Sequence, residues 1–155
     1  MDSSECSLAL EDAPRPEDIA TVIDGLVAYN LQHAPPEEYR LLHIFLRTSE
    51  GKVVGGLIGA TFWGWLYVDR LWVHEALRKQ GCGSRLMAAA EQEAQRRGCR
   101  HAYVDTMTFQ ALPFYERLGY TIFGILEDMP QGCRRYFLQK HLVEPAQPGS
   151  GSLKL

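Results

Sequence analysis

The spacing of apolar residues changes along the chain between helical and strand periods, and these changes predict the order of the elements. Apolar residues recur every three or four positions over 19–31, behind Pro16 and two acidic residues that suit a helix start. This pattern predicts a first helix. The same spacing over 81–97, closed by Gly98, predicts a second helix. A shorter third helix is predicted over 110–118.

Runs that are rich in β-branched and aromatic residues predict the strands between these helices. The predicted strands cover residues 7–10, 41–47, 53–62, 65–73, 101–106, 120–126 and 134–141. Short turns join the second, third and fourth strands, whereas helices separate the fourth, fifth and sixth. Hairpins followed by a strand–helix–strand crossover predict an α/β fold, with a mixed, mostly antiparallel central sheet of six to seven strands flanked by helices.

Composition narrows the class of protein. A chain of 155 residues with 46% hydrophobic residues can bury the core of one domain, to which we assign residues 1–142. The remaining residues, 143–155, are rich in Pro, Gly and Ser, which predicts a flexible tail. The net charge of -3 argues against nucleic acid as a partner, because phosphate binding usually needs a basic face.

The sequence indicates neither a membrane span nor a metal site. The uncharged run over 53–68 has 16 residues, whereas a spanning helix needs about 20, and its glycines suit two buried strands better. The four cysteines form no Cys-x-x-Cys pair and no spacing suited to zinc, so no metal is expected. Reduced thiols and an N-terminus without an apolar signal core predict a cytoplasmic protein.

The segment over 71–86 carries the clearest chemistry. A predicted strand enters a basic loop that holds Arg78, Lys79, Gly81 and Gly83, and a predicted helix leaves it. The unpaired N–H groups of the loop and of the first helical turn converge, which predicts an anion site. The alternative is a strand–loop–helix turn with structural glycines and solvated basic side chains, and glycine spacing alone does not separate the two.

A second motif one strand later favours the anion site. Residues 111–120 read Ala-x-x-x-Tyr-x-x-x-Gly-Tyr, with Tyr115 at the centre. Together with Arg78-x-x-Gly81-x-Gly83, this motif closely resembles the GNAT superfamily of acyl-CoA-dependent N-acetyltransferases. The resemblance extends in element order over residues 8–142, and it implies a sheet that is splayed at its central parallel pair of strands.

The resemblance implies that the loop binds the diphosphate of acetyl-CoA, mainly through backbone N–H groups. The residues in this role are Arg78, Lys79, Gln80, Gly81, Cys82, Gly83 and Ser84. It also implies that the pantetheine arm pairs with the strand backbone at Leu71, Trp72 and Val73. The N–H of Val73 would then polarise the thioester carbonyl as an oxyanion donor.

The second motif implies further coenzyme contacts. Ala111, Phe114 and Tyr115 would flank the coenzyme, and Tyr115 would give its proton to the leaving thiolate. A phenol is a weaker acid than a thiol, so this transfer needs local tuning or a water molecule. Thr108 stands where the family often has an asparagine that touches the coenzyme, and either its hydroxyl or the neighbouring Gln110 would replace that contact.

The general base has no fixed place in this family, so it is sought among nearby carboxylates. Asp69 is the first candidate, because the strand period of two places it on one face with Tyr67. Glu75 is the second candidate. The alternative role for Asp69 is an ion pair with Arg70 or Arg78, since a carboxylate in an apolar strand needs a partner.

The resemblance therefore implies an enzyme that moves an acetyl group from acetyl-CoA to a primary amine, by direct transfer in a ternary complex. Five acidic residues expected near the mouth of the cleft favour a small cationic acceptor: Asp69, Glu75, Asp105, Glu127 and Asp128. Two other interpretations stay open, a CoA-binding module without turnover and an acetyltransferase of protein N-termini or lysines. A homodimer that pairs through Tyr136, Phe137 and Leu138 is also left open.

Overall fold

The computed structural model describes residues 6–142, and the predicted tail over 143–155 lies outside the described residues. The described chain divides after Pro36 into two compact units. The first unit contains one helix, and the second contains the sheet and two further helices.

The helix of the first unit, α1, spans Pro16–Leu31, as the apolar spacing predicts. Pro16 lies in the first turn, where an N–H would have no partner within the helix. The guanidinium of Arg15 donates two hydrogen bonds to the Asp18 carboxylate, of 3.0 and 3.1 Å. The predicted strand over 7–10 is wrong, because four weakly alternating residues offer too little apolar surface to hold a strand in a sheet.

The second unit follows the predicted element order closely. Its elements are β1 (Arg40–Arg47), β2 (Val53–Phe62), β3 (Trp65–Val73), α2 (Cys82–Arg96), β4 (His101–Met107), α3 (Leu112–Arg117), β5 (Thr121–Glu127) and β6 (Arg134–His141). The strands lie in the order β1-β2-β3-β4-β6-β5, and among them only β3 and β4 run parallel. The predicted mixed, mostly antiparallel sheet with flanking helices is confirmed at six strands.

The strand order corrects the expected site of pairing with a second chain. Tyr136, Phe137 and Leu138 lie on β6, which pairs with β4 on one side and with β5 on the other. Their backbone hydrogen bonds are therefore used within the sheet, and only the edge strands β1 and β5 could accept another strand.

Helix α2 packs on one side of the sheet against β1, β2 and β3. Its buried face consists of Leu86, Met87, Ala90 and Ala94. Small residues on this face allow a close approach of the helix to the strands. At its C-terminal end, the Arg97 guanidinium donates to two backbone carbonyls of β1 and to the Thr61 hydroxyl, which holds the helix end on the sheet.

Candidate active site

β3 and β4 separate from each other partway along their length. Their parallel pairing ends at Val68 and Val104, whereas β3 continues to Val73 and β4 continues to Met107. A wedge therefore opens between the carboxyl ends of the two strands, as the resemblance implied. The carboxyl ends of parallel strands are the usual place for a ligand in such sheets.

A β-bulge at Asp69 begins this separation. In the β2–β3 ladder, Ile58 lies opposite Arg70 and Gly59 lies opposite Val68, so Asp69 has no partner on β2. An extra residue of this kind bends the strand and increases its local twist. The bulge therefore turns the end of β3 away from β4 and places the Asp69 side chain at the root of the wedge.

Beyond the bulge, the N–H groups of Leu71 and Val73 point into the wedge. Successive N–H groups of an antiparallel strand alternate between its two sides. The His74 N–H donates to the Val54 carbonyl of β2 at 2.9 Å, so the N–H groups of Leu71 and Val73 face the side from which β4 has diverged. The backbone of β3 is thus presented to an extended ligand in the wedge.

The loop after β3 presents the beginning of α2 to the same place. A single 3-10 turn, Glu75–Leu77, leads to Lys79 and Gly81, whose φ angles are 60° and 77°. Gly81 caps α2 without a side-chain hydrogen bond, which leaves the N–H groups of the first turn available. Arg78 folds back, and its Nε donates to the Val73 carbonyl at 3.2 Å. These N–H groups lie at a helix N-terminus, at the position where the sequence predicts an anion site.

The two glycines of the loop serve different purposes. A Cβ atom on Gly83 would lie 3.2 Å from Cζ of Phe114, whereas a Cβ atom on Gly81 would meet nothing within 4 Å. Gly83 therefore lets α2 pack closely on α3. Gly81 instead supplies the positive φ that turns the chain into the helix.

A cavity of about 510 Å³ follows β3, the loop and the beginning of α2. Most of the residues predicted to hold the coenzyme line it: 71–73, 78, 79, 81–84, Ala111 and Phe114. Two further lining residues, Leu77 and Arg117, were not predicted. Arg117 lies three positions after Phe114 and therefore on the same face of α3, a spacing that could have identified it.

A second cavity of about 460 Å³ lies between the diverging strands. Its polar side chains come from four elements and from the turn before α3: Asp69, Arg70, Asp105, Thr106, Gln110, Tyr115 and Arg135. Leu71 and Ala111 line both cavities, so the two adjoin at the centre of the wedge. A thioester arm that follows the first cavity would therefore end next to the polar groups of the second.

Tyr115 is buried on α3, with 6% of its surface exposed. Its ring packs edge-on against Phe114 and Tyr120, with centroid distances of 5.1 and 6.0 Å. Burial, and secondarily the Asp105 carboxylate, raise the pKa of Tyr115 to about 12. The phenol therefore stays protonated near neutral pH and can act as a hydrogen-bond donor.

Two carboxylates share the second cavity in different environments. The Asp105 side chain is 14% exposed, and one of its oxygens lies 2.7 Å from Nε of Arg135. The Asp69 side chain is 38% exposed, and its partners, the Tyr67 hydroxyl and Nε of Arg70, both lie at 3.3 Å. The expected alternative role of Asp69 as an ion-pair partner of Arg70 is thus present, but the contacts of Asp69 are longer and more exposed than the contact of Asp105 with Arg135.

Three residues predicted to hold the coenzyme lie outside the first cavity. Tyr115 lines the second cavity instead. The Gln80 amide donates to the Ala76 carbonyl at 2.8 Å, within the loop. The Thr108 hydroxyl accepts from the Arg134 N–H at 2.8 Å and donates to the Arg134 carbonyl at 3.2 Å. Thr108 therefore joins the end of β4 to β6 in this structure.

The expected cluster of five acidic residues is smaller than predicted. Asp69 and Asp105 share the second cavity, whereas Glu75, Glu127 and Asp128 line neither cavity. Glu127 and Asp128 lie at the turn between β5 and β6, and β5 is the edge strand of the sheet. Two of the five acidic residues, Asp69 and Asp105, therefore line the cavity between the diverging strands.

Arg135 lines the second cavity and is a further residue that the sequence did not reveal. It lies on β6 opposite Met107 of β4, and this register brings its guanidinium to Asp105. The two residues are 30 positions apart, so no local pattern connects them. Within residues 6–142, the structure holds no group of three or more His, Cys, Asp or Glu side chains that could bind a metal, and no helix there is long and apolar enough to span a membrane.

Comparison with known proteins points to one family. The model of the acetyltransferase (GNAT) family matches residues 7–120. An acetyltransferase of Agrobacterium fabrum is 43% identical over 134 residues, covering 86% of this chain and 98% of the relative. The blasticidin-S acetyltransferase of Streptomyces morookaense is 40% identical over 116 residues, covering 72% of this chain and 85% of the relative. A crystal structure of an acetyltransferase from Bacillus cereus superposes with a TM-score of 0.79 at 29% identity, and the match covers 86% of this chain and 98% of that structure.

Proposed function

The chain belongs to the GNAT family and is an acyl-CoA-dependent N-acetyltransferase, and we propose that it acetylates a primary amine of a small cationic molecule by direct transfer in a ternary complex. The observation that carries the proposal is the wedge, where a backbone anion site and a polar cavity with two carboxylates adjoin at Leu71 and Ala111. One substrate would enter from each cavity and meet the other at that point.

Residues of the first cavity would hold the coenzyme. The N–H groups of Cys82, Gly83 and Ser84 would bind the diphosphate, with the charges of Lys79 and Arg117 nearby. One anion at a helix N-terminus is stabilised by about 0.3–1 kcal/mol, and by up to about 2 kcal/mol when partly buried, so useful affinity requires these donors together. The N–H groups of Leu71 and Val73 would pair with the pantetheine arm.

The amine must lose a proton before it attacks, and we assign the base to Asp69. Asp105 is committed to a short, mostly buried pair with Arg135, whereas the more exposed Asp69 makes only longer contacts. Asp69 can therefore exchange a proton with the acceptor, directly or through a water molecule. Glu75 is the weaker candidate, because it lines neither cavity.

In the transfer step, the amine nitrogen forms a bond to the thioester carbon, and the carbon–sulfur bond then breaks. The Val73 N–H would stabilise the oxyanion of the tetrahedral intermediate. The raised pKa of Tyr115, about 12 against about 8.5 for a thiol, makes complete proton transfer to the thiolate unfavourable by roughly 5 kcal/mol. Tyr115 would therefore donate a hydrogen bond to the departing sulfur, and solvent would complete its protonation.

The acceptor class is supported by composition of the cavity and by one relative. Asp69 and Asp105 offer carboxylates to a cationic amine, and the Streptomyces relative acts on blasticidin S, a small molecule.

The four cysteines are free thiols, which supports a location in the reducing cytoplasm.

The test is to mix the protein with acetyl-CoA and a panel of polyamines, amino acids, aminoglycosides and amino-nucleoside antibiotics, and to measure the release of free thiol. The proposal predicts acetyl-CoA-dependent thiol release with at least one cationic member. Heat of CoA binding without turnover of any amine would instead indicate a binding module. Label that passes from acetyl-CoA to lysate proteins, with no small amine accepted, would indicate a protein acetyltransferase.

A further inference from the structure

Two histidines lie side by side at the closed end of the sheet, away from the wedge. His101 begins β4 and lies directly opposite His141, which ends β6. The Leu142 N–H donates to the Arg100 carbonyl at 2.8 Å. This hydrogen bond flanks the pair, so His101 and His141 occupy a non-hydrogen-bonded site of the ladder, where opposite side chains approach most closely.

The separation of the two imidazoles matches a chelate. The Nδ1 atoms of His101 and His141 lie 3.4 Å apart. Two imidazole nitrogens bound to one tetrahedral zinc ion at about 2.0–2.1 Å would lie roughly 3.3–3.4 Å apart. Two adjacent ligands in square-planar geometry at that bond length would lie about 2.9 Å apart. The observed spacing therefore suits a tetrahedral ion.

The surroundings hold the pair in place and leave room beside it. The indole of Trp65 stacks on His101, with centroids 4.5 Å apart and planes inclined by 23°. Both histidines line a cavity of about 620 Å³ at this end of the sheet, which has space for water molecules as the remaining ligands. Lys140 lines the same cavity, but its ammonium is bound to the Glu91 carboxylate at 2.7 Å, so its positive charge is compensated.

We propose that His101 and His141 form a binding site for a tetrahedral divalent cation, Zn²⁺, coordinated by the two Nδ1 atoms and completed by water. Without metal, one Nδ1 donates its proton to the other in a hydrogen bond. On binding, that proton moves to Nε2 of the same ring, both Nδ1 lone pairs turn to the metal, and no proton is lost overall. The ion joins β4 to β6, and therefore stabilises the folded chain.

The experiment is calorimetric titration of the intact, reduced protein with ZnCl₂, with the imidazole ¹⁵N resonances recorded in parallel. We compare the wild type with His101→Gln and His141→Gln. The matched control is His43→Gln, an exposed histidine on β1. His141 is exposed, so its variant is expected to fold, which circular dichroism checks.

The proposal predicts that either substitution weakens Zn²⁺ binding by at least about tenfold, while the control stays within about twofold of the wild type. The Nδ1 resonances of both rings shift in the wild type, and Zn²⁺ raises the Tm of the wild type and the control but not of His141→Gln. Equal Zn²⁺ affinity in the wild type and His141→Gln would overturn the proposal, because thiols or other groups would then hold the metal. The absence of binding up to about 1 mM Zn²⁺ would also overturn it.

Discussion

Replacement of Tyr115 by Phe removes one hydroxyl and leaves the buried ring in place. The ring keeps its edge-on contacts with Phe114 and Tyr120, so the fold and the coenzyme cavity should persist. A hydrogen bond to a charged partner contributes about 1.5–3 kcal/mol. If that bond forms only to the departing thiolate, its loss lowers kcat by about 10- to 150-fold.

The assay follows free thiol release from acetyl-CoA at saturating amine, with CoA affinity measured separately by calorimetry. Burial raises the pKa of Tyr115 to about 12, so the hydroxyl is protonated across the usual assay range and the defect should not vary between about pH 6 and 9. Tyr120→Phe is the matched control. It removes a buried hydroxyl that donates to Glu91 at 3.0 Å, and it should lower stability but not kcat. A kcat of Tyr115→Phe within about twofold of the wild type would refute the role of Tyr115.

Three further predictions concern the loop, the bulge and the dependence of stability on pH in acid. Gly81→Ala should destabilise the fold by about 1–2 kcal/mol in urea unfolding and should also weaken CoA binding. The control is Gly98→Ala, which has a similar φ of 87° but lies outside the loop, so it should lose stability without losing CoA affinity. Equal CoA affinities of the two variants would contradict the loop assignment. Gly59→Ala should lower the yield of folded protein and its Tm, because the new Cβ overlaps the Tyr67 carbonyl oxygen opposite the bulge, and an unchanged Tm would show that the strands can separate there. Hydrogen bonds from two arginines lower the pKa of Glu93 from 4.5 to about 2, so its contribution to stability is present above pH 4.5 and is lost as the pH falls towards 2. Between those pH values the wild type should lose its urea-midpoint advantage over Glu93→Gln, and parallel curves would contradict this.

The fold was predictable because nearly every element has a local signal. Pro16 and the acidic residues after it mark the beginning of α1, Gly98 follows the end of α2, and the apolar face of Leu86, Ala90 and Ala94 is buried as expected. The strand predicted over 7–10 failed because weak alternation over four residues resembles irregular chain as much as strand. The sheet order has no such signal, since it depends on pairing between distant segments. For that reason the sequence alone does not show that β6 lies inside the sheet.

The candidate site likewise has one part that the sequence predicts and one part that it does not. The first cavity is built from two contiguous motifs, and 11 of the residues predicted from them line it. The second cavity is built across strands, and Arg135 reaches Asp105 only through the β4–β6 register. The bulge at Asp69 likewise depends on how β2 and β3 align rather than on the residues of β3 alone. Local sequence therefore indicates where an anion binds, and tertiary pairing decides which charged groups meet it.

The central claim is that main-chain donors of the loop and β3 bind two parts of the coenzyme, the diphosphate and the thioester arm. Calorimetric titration of the wild-type chain with CoA, and separately with pantetheine, which lacks the diphosphate, tests this claim most directly. The account predicts saturable heat with CoA below about 1 mM, and binding of pantetheine that is at least about tenfold weaker. No heat with CoA at about 1 mM, or equal affinities for the two ligands, would contradict it.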